Sequence, residues 1–254
     1  MNSAIIVGRL VQDPVEAKNN NNEVFGYNMR VAVNEGKDKA SFIPIFFCGQ
    51  MTDKRRQKLV KGAGVAFTGE LTQRKYSDKN QQSRSTVAVR SVMVETNVSG
   101  SLAAVTVVGN LTSEPETRVT ANGHKVVNFS IAHHSGYFNK QKQEWVDNPD
   151  SFFDVEVWDE AAINFIGKYF HKGSSIVVSG QLHSHNYTNK QNQPATSYSI
   201  HAEHVTFGFQ KNDQNQNSNG NTQPAPQNNA PANTQTQKYS VDDYGIEDDD
   251  DLAF

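Results

Sequence analysis

The sequence predicts an all-β protein with one short helix per domain: two tandem five-stranded barrels followed by a disordered C-terminal tail. Three observations predict it. The chain repeats itself, with "IIVGRLVQDP" at 5–14 matching "TVVGNLTSEP" at 106–115, and "KGAGVAFTGELTQRKYSDK" at 61–79 matching "KGSSIVVSGQLHSHNYTNK" at 172–190. Within each copy, apolar residues alternate with polar ones, the period of a half-buried strand. Beyond about Gln210 the alternation stops, and residues 210–238 hold 15 Asn/Gln in 29 positions with three prolines. Two copies are too few for a solenoid, so the expected domains are 1–100, 101–209 and a tail at 210–254.

In the first copy, strands are expected near 3–11, 23–34, 41–48, 63–74 and 86–97, with a short helix near 51–60. In the second they fall near 102–111, 123–134, 151–158, 174–187 and 196–209. The offset between copies grows from 101 (Gly8 to Gly109) to 111 (Gly69 to Gly180), and most of the extra residues lie between Ala132 and Ser151, where copy two has a longer loop. The second helix is marked by Ala162, Phe165, Ile166, Tyr169 and Phe170 at i, i+3, i+4, i+7 spacing. Gly173 follows as a stop. Five strands with a helix between the third and fourth is the order of an OB-fold barrel. The Asn/Gln tract cannot bury enough apolar surface to offset its ordering entropy, so it is expected to be a disordered spacer.

Charge is unevenly spread. Residues 1–100 hold 15 Lys/Arg against 9 Asp/Glu, residues 101–209 hold 7 against 10, and residues 210–254 hold 2 against 8. A basic first domain and an acidic tail point to different partners. The single cysteine, Cys48, excludes an internal disulfide. No apolar run is long enough for a signal peptide or a membrane span, and a reducing cytosol is the expected setting.

Strand parity isolates the candidate site. Residues i and i+2 share a face, so Phe153, Val155 and Val157 point to the core and Phe152, Asp154, Glu156 and Trp158 point outward. Two large rings on an outward face are unlike core packing; they suit base stacking or an interface between domains or subunits. On the fourth strand Val178 and Leu182 are inward, and His183, His185 and Tyr187 share the other face, with Lys190 in the next turn. The first copy has Arg74, Tyr76 and Lys79 at the equivalent places. The long loop of copy two interleaves Tyr137, Phe138 and Trp145 with Lys140 and Lys142. A ring that stacks on a base beside a cation that meets the phosphate suits single-stranded nucleic acid.

"VGRLVQDP", "SFFDVEVWDEAAINFIGKYFHKGSSIVVSGQLHSHNYTN" and the terminal "DDDDLAF" resemble the bacterial single-stranded DNA-binding protein (SSB) family, over nearly the whole chain. Two copies in one polypeptide resemble the tandem form of the Deinococcus–Thermus group, which implies a homodimer carrying four OB-folds. The resemblance implies stacking positions at Phe152, Trp158 and Tyr187, and at Phe42 and Tyr76 in copy one. It places Tyr137 and Phe138 near another. Copy one departs from the pattern at Cys48, the counterpart of Trp158; Phe46 shares that face and is its expected substitute. Copy one, with more charge and fewer rings, is expected to hold phosphates while copy two holds bases. The family's Arg-x-Arg stands here as His183 and His185, and the Pro before the final Phe as Ala253.

All eight histidines lie within residues 124–204. The spacings His133-His134, His183-x-His185 and His201-x-x-His204 show no closed ligand set, so no metal and no cofactor are expected. Protonation of His183 and His185 is instead expected to tighten DNA binding in mild acid. There is no phosphate-binding Gly-rich loop, no His-Glu-x-x-His and no Gly-x-Ser-x-Gly, so no enzyme activity is expected.

The tail ends in Asp248, Asp249, Asp250, Asp251, Leu252, Ala253 and Phe254. An arm of about 35 residues reaches roughly 30–35 Å. It presents two apolar anchors behind an acidic lead, the pattern for a pocket ringed by Lys/Arg. The resemblance implies replication, recombination and repair proteins as its partners. Two other readings stay open from the residues alone: a tandem OB-fold RNA-binding protein, and a scaffold whose outward rings only join barrels.

Overall fold

The fold was determined as a computed structural model that describes residues 2–77, 83–189 and 192–208, without the side chains of 74–77 and 83–85. The first repeat comprises β1 (Asn2–Leu10), β2 (Val15–Lys18), β3 (Val24–Gly36), β4 (Lys39–Cys48), α1 (Asp53–Lys58), β5 (Gly64–Ser77) and β6 (Ser83–Thr96). The second comprises β7 (Leu102–Leu111), β8 (Glu116–Val119), β9 (Lys125–His133), β10 (Gly136–Asn139), β11 (Glu144–Asp147), β12 (Ser151–Val157), α2 (Glu160–Tyr169), β13 (Ser175–Thr188) and β14 (Pro194–Phe207).

Each repeat closes into a five-stranded barrel. In the first, β1 pairs with β3 and β5, β3 with β4, β5 with β6, and a parallel β4–β6 contact completes the ring. The second closes the same way through β7, β9, β12, β14 and β13, again with one parallel pair, β12–β14. Closure removes the exposed edges that an open sheet of this length would carry. The barrels are filled by alternate residues of each strand, among them Ile6, Val31, Ile43, Phe67 and Leu71 in the first and Val107, Ile131, Phe153, Val178 and Leu182 in the second.

The longest strand pair of each barrel carries a bulge at the same place, its extra residue being Val92 on β6 and Glu203 on β14. The β5–β6 register shifts at Thr68/Gly69 and the β13–β14 register at Ser179/Gly180. A bulge sharpens the twist a small barrel needs. It also brings backbone close: a Cβ on Gly69 would lie 2.1 Å from the Arg90 carbonyl oxygen, and one on Gly180 2.0 Å from that of His201. The repeat therefore preserves glycine for lack of space.

The helices cap their barrels differently. Asp159 caps α2 by accepting from the Ala162 amide at 2.8 Å. Ile163 and Ile166 within it, and Phe170 just after, are buried, and Phe170 stacks on Phe207 with centroids 4.8 Å apart. Tyr169, expected on that apolar stripe, is exposed, and Ile163 takes its place because the buried face is rotated by about one position. α1 buries none of its own residues; Met51 before it and Leu59 after it anchor the turn.

The barrels join through β1 and β7, antiparallel, making one continuous 12-stranded sheet. In this pair Ala4 faces Val105, its own counterpart in the repeat, so the register is symmetric about that point. Flanking contacts obey the same symmetry: the Ser184 amide donates to Ser41 Oγ at 2.6 Å, and the Gln73 amide to Ser151 Oγ at 3.2 Å. The duplication has built, within one chain, the self-complementary interface of a two-fold dimer.

Candidate nucleic-acid interface

β12 carries the centre of the site. Its inward residues Phe153, Val155 and Val157 are buried, while Phe152 is 48% exposed. Trp158, just beyond the strand, is 44% exposed, and Tyr187 on β13 is 51% exposed. Such rings lose little water contact in the free protein and can be covered by a stacked base. Between Phe152 and Trp158 the same face holds two carboxylates, Asp154 and Glu156.

The stretch between Ala132 and Ser151, expected as a loop, is a two-stranded hairpin. β10 and β11 pair with Phe138 opposite Trp145 and Tyr137 opposite Val146. Tyr137, Phe138 and Trp145 are all exposed, as are Lys140 and Lys142 at the turn; Lys142 lies 3.8 Å from Glu144. Cross-strand pairing holds the rings in fixed positions. The apolar residues on either side of "NKQKQ", Tyr137-Phe138 and Trp145-Val146, are adjacent pairs that do not alternate, so the sequence carries no strand period here.

In copy one, Phe46 packs against Phe25, with ring centroids 5.7 Å apart. Phe25 is exposed, sits beside Cys48 and Gly49 at the end of the β3–β4 pair, and was not singled out from the sequence. Arg30, also unanticipated, is exposed and lines a cavity of about 480 Å³ with Pro44 and Phe46. A second groove of about 410 Å³ runs from Phe46 past Thr72 and Arg90 to Asn148 and Ser151, reaching from one barrel to the other. Phe42 is half-buried at the seam between barrels, where its amide donates to Ser184 Oγ at 2.9 Å. The side chains of Arg74 and Tyr76, together with Lys79, Lys190 and the tip Asp248–Phe254, lie outside the described residues.

The histidines depart from expectation. His183 is not an open cation: its side chain is 13% exposed and its Nδ1 lies 2.7 Å from Glu35 Oε1 of the first barrel. Burial, and then the nearby His201, push the His183 imidazole below its ordinary value, against the opposing pull of Glu35. Burial alone would raise Glu35, but Lys39, Ser41 and His183 together hold it down to about 2. The expected gain in DNA affinity from protonating His183 is therefore withdrawn, because the fold favours its neutral form. The sequence spacings also mislead. His133 is buried on the Val108 carbonyl, while His134 is exposed between Asp147 and Asp150, at 3.3 and 2.9 Å. What converges is a set from three strands: Glu156 on β12, His185 on β13 and His201 on β14, with one ligand atom of each within 4.8 Å of the others. Spacing along the chain gives no sign of this convergence, which arises between strands.

Two closed OB barrels with rings on one outer face define a class of nucleic-acid-binding module. The model of the single-strand binding protein family matches residues 1–96 and again 102–208, and the chain belongs to that family. Relatives named single-stranded DNA-binding protein, from Paenarthrobacter aurescens and Corynebacterium glutamicum, are 39% and 35% identical over 101 residues. Those matches cover 40% of this chain, and 58% and 44% of the relatives, so the matched stretch spans about half of their length. Among solved structures, the wild-type single-stranded DNA binding protein from Thermus aquaticus superposes with a TM-score of 0.60 at 20% identity, covering 84% of this chain and 96% of that one. That likeness is one of fold.

Proposed function

We propose that this chain binds single-stranded DNA without reading its sequence and protects it during replication, recombination and repair. The observation that carries this reading is the set of exposed rings on the outer face and hairpin of the second barrel: Tyr137, Phe138, Trp145, Phe152, Trp158 and Tyr187. Family membership and the relatives' names support it. Bases stack on these rings while Lys140, Lys142 and Lys190 meet phosphates. In the first barrel Phe42, Phe46, Arg74, Tyr76 and Lys79 continue the path, with His183 and His185 lining it at the seam. Residues 1–100 and 101–209 act as the two binding domains, and two chains associate to give four barrels. The protein works without catalysis, in the bacterial cytoplasm at the nucleoid. Among the described residues no helix is long and apolar enough to cross a membrane.

Residues 210–254 form the arm whose tip, Asp248–Phe254, recruits partner proteins by seating Leu252 and Phe254 in an apolar pocket ringed by cations. Two experiments test this reading. Competition between oligo-dT and oligo-U should favour oligo-dT; preference for oligo-U would make the protein an RNA binder. Deleting residues 248–254 should leave oligo-dT affinity equal or slightly higher while abolishing capture of partners; lost DNA binding would contradict the division between barrels and tip.

A further inference from the structure

We propose that Glu156, His185 and His201 bind one divalent transition-metal ion of the Zn²⁺ class on the outer face of the second barrel. Three facts of geometry carry the proposal. First, one ligand atom from each residue lies within 4.8 Å of the others, and the three stand on three different strands of a closed barrel. A scaffold of paired strands holds such a set without a loop having to order. Second, His185 Nε2 is shielded from solvent and makes no hydrogen bond, and a buried nitrogen without a partner costs free energy. His201 Nε2 faces Glu156 Oε2 as an ion pair at 3.0 Å. Two ligand atoms on one tetrahedral ion, each bonded at about 2.0–2.1 Å, stand about 3.3 Å apart, close to the approach observed here.

Third, the donor types suit an ion of the Zn²⁺ class, which takes a carboxylate and imidazoles, whereas Mg²⁺ and Ca²⁺ prefer all-oxygen sets. Three protein ligands leave a position for water or another oxygen donor. The His134 cluster is a poorer candidate, because both of its ring nitrogens already face carboxylates and Asp150 raises its pKa toward the protonated form, which does not bind metal.

The site's place gives it a consequence. Glu156 shares its face with Phe152 and Trp158, and the His201 ring lies 6.4 Å from that of Trp158. A bound dication would offset the negative charge of Asp154 and Glu156 on this face and offer its open position to a phosphate oxygen. This consequence, unlike the ion binding itself, rests on the proposed binding of single-stranded DNA.

The test uses the full chain, dialysed against a chelator, then titrated with Zn²⁺ by calorimetry and with Co²⁺ by visible absorption. One ion per chain and a tetrahedral Co²⁺ spectrum are expected. His185→Gln and Glu156→Gln should each weaken Zn²⁺ binding about tenfold or more, with His134→Gln unchanged. Should those variants fail to fold, imidazole NMR of the unaltered chain decides: Zn²⁺ should shift His185 and His201 and leave His124 and His171 in place. No bound ion, unchanged affinity in folded His185→Gln and Glu156→Gln chains, or loss only in His134→Gln would overturn the site. Zn²⁺-loaded protein should then bind oligo-dT severalfold more tightly than chelated protein; equal affinity would remove the link to DNA. If neither form binds oligo-dT, the DNA reading fails, while the Co²⁺ spectrum and the variants still decide the metal site.

Discussion

Trp158 and Phe152 stand half out of the barrel, one on each side of Glu156, while Phe153 between them is buried. Removing an outward ring should therefore cost binding and spare the fold. Trp158→Ala is expected to weaken oligo-dT binding by about 1–3 kcal/mol, the worth of one base stack, with a melting temperature close to that of the unaltered protein. Phe153→Ala should do the reverse, unfolding the domain through a cavity worth about 3–5 kcal/mol. Equal losses of stability in the two variants would contradict the assignment of faces. The acids and the histidine with shifted ionisation make a different prediction. Glu35 and Glu156 are both held at about 2, below the ordinary 4.5, so each contributes stability present above about pH 4.5 and lost as pH falls toward 2. His183 is held below 6.5, so its contribution is complete above that value and declines in acid. All three shifts have one sign. The melting temperature should fall between about pH 7 and about pH 3, and Glu35→Gln should blunt the fall; a flat profile would show that these three groups contribute little. The outward faces of β12 and β13 were legible from parity alone. The partners of His183 were not, because Glu35 lies 148 residues earlier in sequence and nothing local links them.

The elements show where a pattern in sequence becomes geometry. All ten expected strands appear, since each has one buried face that fixes its period. β2 and β8 were missed because they are four-residue edge strands pairing only with β3 and β9, and β8 buries none of its residues. The β10–β11 hairpin was read as a loop for the same reason: it packs into no core, so apolar periodicity had nothing to report. Its rings nevertheless sit in fixed cross-strand register. Replacing residues 137–146 by a short Gly/Ser turn should reduce oligo-dT affinity and leave the melting temperature unchanged; unchanged affinity would exclude the hairpin from the site. The paired bulges make the opposite kind of prediction. Gly180→Val forces a side chain against the His201 carbonyl, so it should destabilise the second domain by at least about 1–3 kcal/mol, as measured by chemical denaturation. A neutral result would mean that the β13–β14 register can slide.

For the whole molecule, the central fact is that one chain contains its own two-fold interface, with Ala4 facing Val105 across β1 and β7. The duplication was visible in the sequence, but which strands would join the barrels was not, because every strand carries the same alternation. Covalent linkage let the copies diverge: copy two keeps open rings at Phe152, Trp158 and Tyr187, whereas Phe42 is half-buried at the seam and Cys48 stands where a ring could have been. Net charge follows the same division, positive in 1–100 and negative in 101–209. If phosphates are held mainly by the first barrel, affinity should fall with salt at a slope of about −0.7 per phosphate neutralised. Tyr187→Ala should then cost more binding than Tyr76→Ala, and equal costs would contradict the division. The most direct measurement is a titration of Trp145 and Trp158 fluorescence with oligo-dT of increasing length, following molecular mass in parallel. Saturable quenching at constant protein assembly, deepening with oligo-dT length and absent when duplex is added instead, is the predicted result. Fluorescence that does not respond to oligo-dT, or that changes only when subunits associate, would contradict stacking of DNA bases on the outer rings.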